Sequence, residues 1–226
     1  MDFRSRAANE LDRNISIGAD DMMVHAPHIS EPDIFSKQFR EIELRFDRSD
    51  EIFWCYMNQK SRPSYTYELG EEIQQVQDWI HSTYAREGSK NSDPLRYFVC
   101  GSRTPGIYNL GGDLKHFADC IRRRDLGALK KYARTCVHMQ YENSTAFGAP
   151  IITMALVFDI LVAEKSARMG LPEILFNLFP GMGAYSFLRQ RLGRKDTERF
   201  ILEGKLFSAT ELYDMGVVDL LAEDGQ

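Results

Sequence analysis

The stretch that most constrains this sequence is Pro150–Ala163, where two apolar segments meet with no turn signal between them. Pro150-Ile151-Ile152-Thr153-Met154-Ala155-Leu156-Val157 and Phe158-Asp159-Ile160-Leu161-Val162-Ala163 each have the composition of a buried strand. Joined, they exceed the roughly 3–10 residues of an ordinary strand. They also fall short of the roughly 20 apolar residues that a membrane span requires. The run therefore predicts two buried strands in a protein that does not cross a membrane.

The rest of the chain supplies the layers that such strands need. Residues 1–39 show no hydrophobic period and are expected to form a mobile N-terminal extension, followed by one domain over residues 40–226. Ile42, Leu44 and Phe46 alternate with charged residues, and Ile52–Met57 is strongly β-prone. With the turn chemistry of Asp47-Arg48-Ser49-Asp50 between them, these segments predict a hairpin. Leu69, Ile73, Val76, Ile80 and Tyr84 have helical spacing. A short strand is expected over Leu95–Cys100, then helices from Leu114 to Met139 with a break at Arg124-Asp125. A loop at Gly170–Pro172, a turn at Gly181–Gly183, and helices at Tyr185–Leu192, Thr197–Leu202 and Ser208–Met215 complete the pattern. Strands alternating with helices predict an α/β layered fold.

Composition removes several functions. Of 226 residues, 28 are Lys or Arg and 33 are Asp or Glu, a net charge of −5 that favours neither nucleic acid nor an anionic membrane as partner. Cys55, Cys100, Cys120 and Cys136 form no CxxC pair, and the first 20 residues contain no apolar leader segment. Reduced thiols and a cytoplasmic location are the expectation. His25, His28, His81, His116 and His138 lack zinc-ligand spacing, so no metal is expected. There is no P-loop, no complete GxGxxG and no GxSxG, so neither a nucleotide cofactor nor a serine nucleophile is expected.

Two segments carry chemistry. In Tyr97–Ser102 and Tyr108-Asn109-Leu110-Gly111-Gly112-Asp113-Leu114 a strand leads through a glycine turn into a helix. Backbone N–H groups at such a turn, beside the positive end of a helix dipole, are able to stabilise an oxyanion. Many turns of this form are purely structural. In Met169-Gly170-Leu171-Pro172-Glu173 an acid follows a proline-fixed turn among apolar residues, which raises the cost of ionising it. That is the condition a general acid/base near neutrality needs. A helix N-terminal charge is the competing reading of Glu173.

Together, these residues resemble the crotonase (enoyl-CoA hydratase/isomerase) superfamily, and within it the bacterial diffusible signal factor synthases. Asn109–Leu114 corresponds to the first family motif, Gly170–Glu173 follows, and Leu175–Phe187, containing Phe179-Pro180-Gly181-Met182-Gly183, is the most branch-specific part. The resemblance implies a spiral of ββα units, here incomplete, that binds an acyl thioester of acyl carrier protein or coenzyme A with no further cofactor. It implies a homo-oligomer, a trimer in the family. The amide of Leu110 or Gly111 is then the first oxyanion donor and Glu173 one of two acid/base carboxylates. Gly112, Asp113, Leu171, Pro172, Gly181 and Met182 line the substrate. The implied reaction is dehydration of a 3-hydroxyacyl thioester to a cis-2-enoyl product, followed by thioester hydrolysis.

The family's second motif, a Gly-Gly-Gly stretch followed by an aromatic and a glutamate, has no counterpart between Val157 and Phe158. An absent segment of about 14 residues, the length of a short buried helix with its turn, accounts for the missing turn signal. Family helices that cover the acyl site are also absent beyond Gly216-Val217-Val218-Asp219. Three readings follow: an active dehydratase and thioesterase, a homologue that binds an acyl thioester or a partner without turnover, and a partial version of a longer enzyme. The run Arg122-Arg123-Arg124 is a solvated helix end, with docking of an acidic carrier protein as the alternative.

Overall fold

The computed structural model describes residues 33–84, 95–148, 152–154 and 159–225. The expected extension over residues 1–32 and the Val157–Phe158 junction lie outside them. Packed structure reaches back further than residue 40: Ile34, in the short 3-10 turn Asp33–Ser36, is fully buried. Phe35 packs on Phe53, with ring centroids 5.6 Å apart.

The hairpin forms as the alternation predicts. Strand β1 (Ile42–Asp47) pairs antiparallel with β2 (Ile52–Met57), from Ile42 opposite Met57 to Asp47 opposite Ile52. Asp47 closes the turn: its Oδ1 accepts from the Ser49 hydroxyl at 2.7 Å and from the Ser49 N–H at 3.1 Å. Those bonds to the charged form, the Ser49 hydroxyl foremost, hold its carboxyl below the usual range.

Helix α1 (Tyr67–Tyr84) crosses over the hairpin and leads to β3 (Tyr97–Ser102), which lies parallel to β2. The expected break near Arg124 separates α2 (Leu114–Arg122) from α3 (Leu126–Ser144). Arg124 takes a left-handed φ of 55° there, and Asp125 caps α3 by accepting from the Ala128 N–H at 2.9 Å. The chain then enters β4 (Ile152–Met154), parallel to β3, giving a four-stranded sheet in the order β1-β2-β3-β4.

The second half of the long apolar run does not join that sheet. Strand β5 (Val162–Glu164) pairs in parallel with β8 (Leu220–Ala222). Burial corrects the expectation of a strand covered on both faces: Ala163 is buried while Val162 is 41% exposed and Glu164 is exposed. A two-stranded sheet has one covered face here, so alternate side chains meet solvent.

The expected loop at Gly170 is also a strand end. Strand β6 (Arg168–Gly170) pairs antiparallel with β7 (Leu206–Ser208). Three-residue strands leave too few positions for a period to show, which is why β6, β7 and β8 were invisible to the pattern. Helix α4 (Ala184–Glu203) kinks at Gly193, where φ is 75° and ψ 178°, so the two helices expected there adjoin. Helix α5 (Ala209–Asp214) opens with a reciprocal capping box between Ser208 and Glu211.

Two apolar clusters result. Phe53, Cys55 and Met57, on one face of β2, pack with Leu69, Ile73, Val76 and Ile80 of α1 and with Phe98 of β3. Helices α1 and α3 approach closely because Gly70 faces Thr135: a Cβ there would sit 2.7 Å from Thr135 Cγ2. The second cluster joins Leu188 and Phe200 of α4 to Phe207, Leu212, Val217 and Ala163. Among the described residues no helix is long and apolar enough to cross a membrane.

A mostly buried ion pair closes this second cluster. Arg191 Nη1 donates to Asp219 Oδ2 at 2.7 Å and to the Val217 carbonyl at 3.0 Å. The same Asp219 oxygen accepts from the Leu161 N–H at 2.8 Å. Truncating Arg191 to Met should lower unfolding free energy by about 2 kcal/mol, below the roughly 3–5 of a fully buried pair because Asp219 is partly wet. Urea unfolding followed by circular dichroism measures this, and an unchanged midpoint would show that the pair contributes nothing.

Candidate functional site

The glycine loop after β3 is held from four directions. Asn109 Nδ2 donates to Met57 Sδ at 3.4 Å, tying the loop to the end of β2. The Leu110 N–H donates to the Pro63 carbonyl at 2.6 Å, and the Tyr65 N–H to the Gly111 carbonyl at 2.8 Å. Asn109 Oδ1 accepts from the Gly111 N–H at 2.7 Å, an Asx turn that fits Gly111's positive φ of 82°. From α3, the Tyr132 hydroxyl accepts from the Asp113 N–H at 2.8 Å and donates to the Tyr65 carbonyl at 2.5 Å.

Asp113 is 5% exposed and fully engaged by the chain. Its carboxylate accepts from the His116 N–H at 3.0 Å, capping α2, and from Arg62 Nη2 at 2.6 Å. The structure thus gives Asp113 the work of shaping the loop. Burial, the largest influence on the Tyr132 phenol, pushes it well above the ordinary tyrosine range and keeps it a donor.

Leu110 and Gly111, the two candidates for the first oxyanion donor that the family resemblance implies, are both hydrogen-bonded within the chain. The neighbouring Gly112 N–H has no hydrogen-bond partner among the described residues. Leu110's side chain is 68% exposed above this loop.

The Glu173 segment is built around a backbone contact that admits only glycine. A Cβ on Gly170 would lie 2.2 Å from the Lys205 carbonyl oxygen, so β6 packs on β7 with no side chain between. Leu171 turns into the second apolar cluster. Pro172 then opens the 3-10 turn Pro172–Phe176, where its missing N–H has no helical acceptor to lose. The Leu178 N–H returns to the Glu173 carbonyl at 3.0 Å, and Asn177 closes the turn with φ of 56°. Glu173 is half-buried, and its Oε2 is buried with no hydrogen-bond partner. A buried carboxylate oxygen without a partner is costly, and such atoms concentrate at sites that take a ligand or a proton.

Leu175, Phe176, Leu178 and Phe179 follow, from 50% to 68% exposed, an apolar run with no cover among the described residues. Gly181 faces open space, and Met182 and Gly183 take positive φ to start α4. Met182 joins the two segments: its Cε lies 3.4 Å from where a Cβ on Gly112 would stand. Gly112 thus makes room for Met182. Among the described residues no hydrogen bond or ion pair links Glu173 to the loop.

Sequence reasoning missed Arg62 and Tyr132. Their partner Asp113 lies 51 residues from Arg62 and 19 from Tyr132, so no local spacing signals either contact.

With this geometry in hand, residues 143–225 match the enoyl-CoA hydratase/isomerase family. The Bacillus subtilis protein YhaR, named as an enoyl-CoA hydratase/isomerase, is 37% identical over 121 residues, 50% of this chain and 47% of that protein. Escherichia coli 2,3-dehydroadipyl-CoA hydratase is 28% identical over 124 residues, 50% of this chain and 46% of its own. The chain spans about half the length of these curated relatives. Among solved structures, Pseudomonas aeruginosa DspI superposes with a TM-score of 0.70 at 20% identity, covering 84% of this chain and 71% of its own. Enoyl-CoA hydratase from Bacillus halodurans gives 0.71 at 18%, covering 83% and 75%. The fold is therefore α/β and crotonase-like, incomplete against these neighbours. The family match and the relatives support the crotonase superfamily for this chain.

Two substitutions test the scaffold. Tyr132→Phe leaves the Asp113 N–H and the Tyr65 carbonyl unpaired, so stability should fall by about 1–3 kcal/mol in urea unfolding; a smaller loss would mean that water replaces the phenol. Gly170→Ala must separate β6 from β7, and amide exchange at Gly170 and Ser208 should quicken while β1–β3 stays protected. Uniform protection would contradict the contact.

Proposed function

We propose that this chain acts on acyl thioesters, with Glu173 as the proton-transferring carboxylate at the carbons beside the thioester carbonyl. The observation that carries this reading is the buried, unpartnered Oε2 of Glu173. A carboxylate poised there takes a proton from C2 of a 3-hydroxyacyl thioester, and the hydroxyl at C3 leaves as water carrying that proton. The carbonyl oxygen gains charge in that step and needs a donor. Among the described residues the Gly112 N–H has no internal partner, whereas Leu110 and Gly111 serve only once Pro63 and Asn109 give up their bonds.

The product is a 2-enoyl thioester. In the finer form suggested by Leu175–Phe187, it is a cis-2-unsaturated acid signal released when water cleaves the thioester. Relatives named as CoA hydratases support coenzyme A as the carrier, and the acidic acyl carrier protein is the alternative. The exposed Leu110, Leu175, Phe176 and Phe179 offer apolar surface for the acyl chain. No second carboxylate is identified for the water. A trimer in the cytoplasm is the assembly and location that accompany this reading.

One observation favours a second reading, a homologue that binds an acyl thioester or a partner without turnover. Both candidates for the first oxyanion amide, Leu110 and Gly111, are internally bonded, and removing one oxyanion donor costs about 10²–10³ in rate.

The deciding experiment is turnover of a 3-hydroxyacyl thioester by the full chain, with enoyl and free-acid products read by mass spectrometry. Glu173→Gln, which keeps the shape of the turn, should reduce turnover by about 10²–10⁴. Equal rates for both proteins would remove Glu173 from the chemistry. No turnover from a cooperatively folded chain would establish the binding reading instead.

A further inference from the structure

The cysteines are all unpaired thiols, and two of them face each other in the middle of the sheet. Cys55 of β2 and Cys100 of β3 are direct register partners in a parallel pair. Residues opposite one another project to the same face. Neighbouring strands lie about 4.7–4.9 Å apart, inside the roughly 4.4–6.8 Å separation that a disulfide's Cα atoms need. The register therefore places the two Cα atoms within the span that a disulfide bridges.

The pair is also asymmetric in access. Cys55 is fully buried between the sheet and α1, while Cys100 is half-buried. The neighbouring Cys100 thiol, followed by burial, pushes the Cys55 thiol up. Cys100 is thus the more accessible residue of the two, and Cys55 lies deeper beside it with its thiol kept protonated. Cys120 and Cys136 are both buried, and neither has a cysteine opposite it in a strand pair.

We propose that Cys55 and Cys100 form an oxidative modification site that consumes hydrogen peroxide and closes as a cross-strand disulfide. In the first step the Cys100 sulfur attacks one peroxide oxygen and the O–O bond breaks. Water leaves with the thiol proton, and Cys100 becomes a sulfenic acid. In the second step the Cys55 sulfur attacks the Cys100 sulfur. The S–O bond breaks, and a second water carries off the Cys55 proton. Two thiols are oxidised by two electrons in total, and one peroxide is reduced to two waters.

The disulfide staples β2 to β3 at the strand that leads into the Asn109–Asp113 loop. It also alters the Cys100 sulfur, whose charge state influences the hydroxyl of Tyr108, the residue preceding that loop. Oxidation is therefore felt at the loop whether or not Glu173 is catalytic, and its test does not depend on turnover.

The test treats the folded full-length chain with hydrogen peroxide, blocks remaining thiols with an alkylating reagent and digests without reduction before mass spectrometry. The expected product is one cross-linked peptide pair, Cys55 to Cys100, lighter than the two thiol peptides by two hydrogens. Dithiothreitol should return both thiols, and Cys120 and Cys136 should remain unlinked. Cys100→Ala should abolish the cross-link and leave Cys55 unoxidised under the same exposure. The wild-type map stands alone if that variant does not fold. Over-oxidation of Cys100 to the sulfinic acid with Cys55 still free, any other pairing, or survival of all four thiols would overturn the proposal.

Discussion

The Tyr132 hydroxyl joins three parts of the chain through one buried oxygen: helix α3 supplies it, the Asp113 N–H donates to it and the Tyr65 carbonyl accepts from it. Around it, Arg62 grips the Asp113 carboxylate, and the same carboxylate starts α2. The loop Asn109–Asp113 is thus shaped by residues from before β3 and from after α2. Each of these bonds satisfies a polar group that burial would otherwise leave costly. The arrangement of free and paired amides at the loop follows from it.

The Glu173 side is built on different physics. Gly170 lets two backbones touch, Pro172 fixes the start of a turn, and Asn177 ends that turn in a left-handed conformation. No side-chain hydrogen bond among the described residues locks Glu173 in place, and its Oε2 stays unpartnered. Met182 lying on Gly112 is the contact through which this half meets the loop. One half is a polar lattice and the other a packed turn, and Met182 lies beside Gly112 where they adjoin.

Much of this architecture was legible in the sequence because it is local. The hairpin followed from alternation of Ile42, Leu44 and Phe46, α1 from helical spacing, and the break at Arg124 from a slip in that spacing. The glycines of the two motifs marked backbone positions that a Cβ would disturb, at Gly170 above all. Less legible were β6, β7 and β8, each too short to show a period, and the fate of the run Pro150–Ala163.

The sequence by itself determined the α/β alternation, the two motif segments and Glu173 as the acid placed among apolar neighbours, since each depends on residues within a few positions of one another. Only the tertiary structure decided that β4 and β5 belong to different sheets, that Leu110 and Gly111 are already hydrogen-bonded, and that Asp113 holds the loop. It also set Cys55 opposite Cys100. These outcomes hinge on partners tens of residues apart, and hydrophobic period and turn chemistry report only on a residue's immediate neighbours. Which distant group satisfies a buried N–H or carboxylate is settled when the layers pack and water leaves.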